Sequence, residues 1–291
     1  MLAWSTLPAA LKAALVHLDP YTLTWFRFLV AAVVMAPWVA RLTPPRARRL
    51  RDRIWLLLLA AALLTADYVL YLLGLDLTTP AVAQVVIQLA IVLMALGGIV
   101  LFGERFSGTQ WMGFLALMAG LAVFFHRQLG AFAAEASRLW LGALLVTAAG
   151  ATWAAYALLQ KQLLLDFSSH RIMLFIYVFA AVTLLPVSVP ARLLDLSGWG
   201  WATVGYCAVN TLVAYGAFAE ALDHWEASRV SAVLAVTPLG TIAFGEIVGR
   251  LYPGAVQPER LDWLSLGGAA LVVAGSIVTS LTGRPKRIPG A

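Results

Sequence analysis

Four polar aromatic side chains in this chain are placed to bind a small molecule: Trp4 and Trp153, which lie 149 residues apart, and Tyr68 and Tyr215, which lie 147 apart. An indole or phenol ring joins a broad apolar face to one hydrogen-bond donor, so such residues hold cargo that is part apolar and part polar. Uncharged polar neighbours accompany them: Ser5 beside Trp4, Tyr71 one turn beyond Tyr68, Tyr156 one turn beyond Trp153, and Asn210 a few residues before Tyr215. Gln84 and Gln88, spaced i and i+4, fall on one helix face. All ten lie in apolar stretches. A polar side chain at mid-depth in lipid is costly, so it is expected to face the interior of a bundle or water. The ten are the candidate substrate-binding residues. Gln88 and Asn210 also have a plain reading as cross-helix hydrogen bonds, and Ser or Thr as bonds to their own backbone. Thr211, Ser231 and Thr237-Pro238 extend the polar stripe; Pro238 removes a backbone bond and frees a carbonyl.

Charged groups within the apolar stretches are few. Lys12 and Lys161 sit toward helix ends and are expected to snorkel. Arg27 could pair with Asp19 or a carbonyl, or meet a carboxylate. Asp67 is the deepest acid and the best candidate for a proton site. No cation is expected midway along a cavity helix, which disfavours phosphorylated cargo and favours neutral or zwitterionic cargo.

Catalytic patterns are lacking. No G-x-x-x-x-G-K-[ST] loop is present, so ATP hydrolysis is not expected. No H-E-x-x-H occurs, and His17, His126, His170 and His224 are scattered. The lone Cys207 makes neither an intrachain disulfide nor a metal site. No enzyme activity, cofactor or metal is expected.

The elements that must position the candidates are membrane helices. The chain is 62% hydrophobic and 12% charged, with mean hydropathy +0.87; a soluble domain carries roughly 45–50% and 25%. Spans are expected near 2–17, 21–41, 54–74, 80–102, 109–126, 139–160, 170–190, 199–222, 227–250 and 262–282. Tyr21, Trp38, Trp55, Trp111, Trp140, Trp199, Trp201, Trp225 and Trp263 sit near span ends, as an interfacial belt does. Leu2–Val16 is short against the roughly 20 residues a span needs, which implies a few native residues before Met1. A signal peptide fits poorly, because no basic segment precedes it and Lys12 interrupts it.

The second five spans repeat the first. Trp4 and Lys12 match Trp153 and Lys161, and Phe26–Pro37 matches Phe175–Pro186, all at an offset of 149; Phe102-Gly-Glu104 matches Phe244-Gly-Glu246 at 142. Residues 1–128 and 139–282 are therefore two five-helix repeats, followed by a basic tail at 283–291. Five is odd, so the second repeat enters the bilayer from the opposite side, the arrangement of alternating-access carriers. With a cytoplasmic N-terminus, the inner segments hold Arg41, Arg46, Arg48, Arg49, Arg51, Arg53, Arg105, Lys161, Arg171, Arg229, Arg284, Lys286 and Arg287, and the outer ones only Arg127, Arg138, Arg192, Arg250 and Arg260. The positive-inside rule then puts both termini in the cytoplasm. This clustering also explains the pI of 9.8 by anchoring to membrane lipid rather than by nucleic acid.

The W-x7-K spacing, the A-A-V-x-x-x-P segment and the F-G-E motif, each occurring twice and in order, resemble the EamA-type repeats of the drug/metabolite transporter superfamily. Within it the chain most resembles the YddG-type amino-acid exporters. The resemblance implies an all-α bacterial inner-membrane protein, with ten helices around a central cavity lined by the first, third, fourth, sixth, eighth and ninth. It also implies export of aromatic and other neutral amino acids. The inserted segment Leu251–Leu261 departs from the repeat and weakens the equivalence of the fifth and tenth helices. The first helix lacks the mid-span acid of the four-helix multidrug relatives. Rival readings are a carrier of drugs, purines or other metabolites, a channel, and a membrane or lipid-handling enzyme. Gly245-Glu-Ile-Val-Gly249 offers weak support for a homo-oligomer.

Overall fold

A computed structural model describes residues 2–41, 47–90, 93, 107–126, 134–224, 234, 236–251 and 262–281. Phe102-Gly-Glu104, Trp225, Ser231, the basic tail and most of the Leu251–Leu261 insertion lie outside these residues, as do the later part of the fourth expected span and the start of the ninth.

Among the described residues the structure is helical and contains no strand. The helices are α1 (Leu2–Ala14), α2 (Pro20–Ala40), α3 (Ala47–Leu77), α4 (Pro80–Val86), α5 (Gly108–Phe124), α6 (Ala134–Leu163), α7 (Ser169–Leu184), α8 (Gly198–His224), α9 (Thr237–Leu251) and α10 (Trp263–Leu281). Local chemistry sets the starts. Asp19 accepts from the amides of Tyr21 and Thr22, and Pro20 occupies the first turn of α2, where a missing N–H costs nothing. Thr79 and Pro80 open α4 in the same way. Ser107 and Gln110 close a reciprocal capping box on α5. Pro186 lies in the 3-10 turn Leu185–Val187 that ends α7.

Among the described residues, four helical segments are long and apolar enough to cross a membrane: Pro20–Ala40, Arg51–Leu77, Ser137–Leu163 and Ser169–Val187. Gly108–Phe124 and Trp263–Thr279 are shorter apolar helices. Mid-helix residues such as Val34, Leu59, Leu115, Leu144, Val182 and Val213 point outward and exposed, a surface suited to acyl chains rather than water. The belt aromatics within the described residues are likewise exposed, whereas Trp4 and Trp153 pack inward.

Contacts fix the relative direction of two helix pairs and the close approach of a third. In α2 and α7, Thr22 takes the amide of Val189, Phe28 meets Tyr177, and Trp38 stacks near His170, so these helices run antiparallel. So do α5 and α10: Gly113 lies against Gly275 and Thr279, and Gly120 against Gly268 and Val272. In α3 and α6, a Cβ at Gly74 would sit 2.7 Å from the Gly142 carbonyl, and one at Gly142 would sit 2.9 Å from that of Gly74. Only glycine allows backbones this close.

Two charged residues have defined partners. Lys12 Nζ donates to the carbonyls of Leu75 (2.8 Å) and Asp76 (2.7 Å), capping the C-terminus of α3. Asp19 does not reach Arg27. It is occupied by the start of α2 and by Arg192 at 3.7 Å.

Candidate functional site

The α1 face that carries Trp4, Leu7, Pro8 and Leu11 at helical spacing forms one wall of a cavity of about 160 Å³. An apolar engineered cavity of roughly 150 Å³ admits benzene, so this one has room for a ring-sized group. Asp67, Tyr68 and Tyr71 of α3 form a second wall, with Gln84, Ile87, Gln88 and Ala90 across from them. Trp153 of α6, Tyr215 of α8, Leu234 and Thr237 close the space, and Arg27 of α2 reaches it as well.

The structure thus brings Trp4, Tyr68, Tyr71, Gln84, Gln88, Trp153 and Tyr215 around one cavity. Both aromatic pairs are there, one member from each half of the chain. Trp4 meets Tyr215 edge-on at 5.5 Å, and Tyr68 lies 5.6 Å from Tyr215. Phe218 joins Trp4 (5.5 Å) to Trp153 (6.1 Å). Tyr71 donates to Gln84 Oε1 at 3.3 Å.

Ser5, Tyr156 and Asn210 are not on the wall. Ser5 donates to the Thr237 carbonyl (3.3 Å), and Thr241 donates to the Ser5 carbonyl (2.9 Å), joining α1 to α9. Tyr156 is fully buried, and its hydroxyl donates to Met173 Sδ at 3.2 Å. Asn210 donates to the Ala3 carbonyl at 2.7 Å, tying α8 to α1 beside a hydrogen bond between Thr6 and Tyr206. Polar character in the sequence marked all three as interior without separating helix crossing from cavity wall.

The backbone next to the cavity leaves α geometry. After Val86 the bonds shorten: Gln88 N donates to Val85 O and Ala90 N to Ile87 O. Gln88 therefore reaches the cavity from a tightened turn rather than from the helix face the sequence suggests. Val236 is in a turn and α9 begins at Thr237. Pro238, two residues on, has no N–H to give the carbonyl four residues back, that of Leu234, and this carbonyl takes the Thr237 hydroxyl at 2.5 Å instead.

Arg27 brings a cation to the cavity wall from α2, outside the helices whose middles were expected to carry none. Both Arg27 and Asp67 are buried on the wall, at 3% and 7% exposure. Arg27 Nε donates to Thr211 Oγ1 at 2.9 Å, Thr211 donates onward to the Cys207 carbonyl at 2.8 Å, and the guanidinium carbon lies 4.7 Å over the Tyr68 ring. The second helix was not an expected cavity helix, and one arginine among apolar residues carries no period that chooses among its possible partners. The apolar members Leu7, Pro8, Leu11, Ile87, Ala90 and Leu234 were also missed; adding a helical period to Trp4 would have found the first three. Among the described residues no group of His, Cys, Asp and Glu could hold a metal ion.

A helical structure with an inward aromatic cavity and an apolar exterior, seen among the described residues, suits a membrane carrier. The EamA-like transporter family matches residues 1–126 and 140–281, and the chain belongs to that family. It is 33% identical to the uncharacterized inner membrane transporter YhbE of Escherichia coli strain K12, over 96% of this chain and 88% of that protein. It is 32% identical to an uncharacterized transporter of Haemophilus influenzae, over 96% and 92%. A probable amino-acid metabolite efflux pump of E. coli K12 is 25% identical over 94% and 90%. A solved crystal structure superposes with a TM-score of 0.65 at 20% identity, covering 97% of this chain and 94% of that one; it shares the fold.

Proposed function

We propose that this membrane transporter exports amino acids, aromatic and other neutral ones among them, across a bacterial inner membrane by alternating access. The carrying observation is the cavity walled by Trp4 and Tyr68 from one half and Trp153 and Tyr215 from the other. Apolar ring faces with a few polar groups suit cargo that has a bulky side chain and a polar head. The name of the E. coli efflux pump relative and the resemblance to YddG-type exporters point the same way, and YhbE is named an inner membrane protein.

Two inverted five-helix repeats, at 1–128 and 139–282, with ten spans and cytoplasmic termini, complete the proposal. The antiparallel α2/α7 and α5/α10 pairs support the inversion, since each joins helices related by the repeat. Side-to-side contacts support the alternation of loops. Arg53–Asp166 (3.0 Å) joins two segments assigned to the inside, while Arg192–Asp19 (3.7 Å) and His126–Asp262 (3.2 Å) join segments assigned to the outside. Non-α backbone beside Gln88 and Thr237 fits a carrier whose helices are interrupted at the binding site.

Counterflow of labelled phenylalanine into proteoliposomes tests the reading. Saturable flux that is competed by other neutral amino acids supports it. Absence of saturable flux from correctly inserted protein contradicts it, and stepwise single-channel currents would indicate a channel.

A further inference from the structure

We propose that Arg27 and Asp67 are the two charged poles of the substrate site, Arg27 receiving the α-carboxylate and Asp67 the α-ammonium of a zwitterionic amino acid. The assignment rests on the reading of the cavity as an amino-acid site. Both side chains line the same cavity and are more than nine-tenths buried. Among the described residues neither has an ion-pair partner within 4 Å. A buried charge without a partner is costly, so a cargo carboxylate beside Arg27 and a cargo ammonium beside Asp67 would each supply the partner that favours the charged form.

The local geometry orients Arg27. One of its nitrogens is held by Thr211, and its face lies over Tyr68. Its two terminal amino groups have no protein acceptor among the described residues. They form the planar fork that matches a carboxylate. Asp67 precedes Tyr68 on α3, and among the described residues its carboxyl accepts no hydrogen bond. An ammonium carries three donors and no acceptor, the complement of a free carboxylate.

The pairing of opposite poles discriminates between ligand classes. A phosphate attracted to Arg27 would meet the Asp67 carboxyl in the same small space and bring no ammonium to it. An amine without a carboxylate would meet Arg27. Like charges brought together across a desolvated contact are strongly disfavoured. A zwitterion satisfies both poles and leaves its side chain to Trp4, Trp153 and Tyr215.

The test is competition against phenylalanine counterflow in proteoliposomes, using phenethylamine, which lacks the carboxylate, and 3-phenylpropionate, which lacks the ammonium. In the wild-type protein each analogue should compete at least roughly tenfold more weakly than phenylalanine, the loss expected for one charge-assisted hydrogen bond. Arg27→Gln should raise the half-saturating phenylalanine concentration by a similar factor and narrow the gap for phenethylamine alone. Asp67→Asn should narrow it for 3-phenylpropionate alone, and Arg27→Lys should retain more function than Arg27→Gln. If a variant is not monodisperse in detergent, the wild-type series decides. Flux that persists while the analogues compete as well as phenylalanine, or variants that weaken all three compounds equally, overturns the charged poles alone. No saturable amino-acid flux from inserted wild-type protein overturns the poles and the amino-acid reading together.

Discussion

Replacing Gly268 with alanine should loosen the α5/α10 pair, and replacing its neighbour Gly267 should not. A Cβ at Gly268 would lie 2.5 Å from the Phe124 amide nitrogen and 2.8 Å from the Gly120 carbonyl; at Gly267 nothing lies within 4 Å. Both obstacles at Gly268 are backbone, so no rotamer change relieves them. Restoring ordinary contact requires the helices to part by roughly 1 Å, which forfeits a quarter to a half of each contact's dispersion energy along the crossing. Overpacking of this kind costs about 1–3 kcal/mol. Gly267→Ala keeps the contact and gains up to about 1 kcal/mol of helix propensity. Unfolding both variants by titrating sodium dodecyl sulfate into mixed micelles measures the difference. Neither α5 nor α10 contributes to the cavity wall, so half-saturation for substrate should be unchanged in the folded fraction of each. Equal stability of the two alanine variants would refute the close backbone approach.

Trp153→Ala should lower transport more than folded yield, measured as flux per inserted molecule; unchanged kinetic constants would remove that residue from the site. Tyr156→Phe should leave the half-saturating concentration unchanged and cost about 1 kcal/mol of stability, because its hydroxyl serves Met173 in the core; a shifted half-saturation would put it in the site after all. Thr211→Val should weaken substrate affinity several-fold without reducing expression, since it releases the nitrogen that orients Arg27. Lys12→Met should lower thermal stability by freeing the Leu75 and Asp76 carbonyls, read from melting in detergent.

Much of the cavity is legible in the sequence because its aromatics recur. The 149- and 147-residue offsets single out Trp4, Trp153, Tyr68 and Tyr215 before any coordinate is known, and all four line the cavity. Helix starts are legible where a cap sits beside a proline, as at Asp19-Pro20 and Thr79-Pro80. What the sequence hides is the choice between neighbours on adjacent faces. Tyr71 reaches the wall whereas Tyr156 bonds a core methionine, and the two are alike in type and in spacing from an aromatic landmark. Arg27 was named with several possible partners, and the choice among them depends on tertiary contacts with Thr211 and Tyr68. The turn at Gln88 was hidden because local hydrophobic period does not register a loss of i→i−4 bonds over a few residues.

Opposite insertion of the two halves around one cavity is tested most directly at Val16 and Leu165, which stand 149 residues apart and are 80% and 78% exposed. In a Cys207→Ala background, Val16→Cys and Leu165→Cys would each be treated with a membrane-impermeant maleimide on intact cells and after permeabilisation. Labelling of Val16→Cys in intact cells, with Leu165→Cys reacting only after permeabilisation, is the predicted result. Labelling of both from the same side would contradict the inverted arrangement and the alternating access built on it.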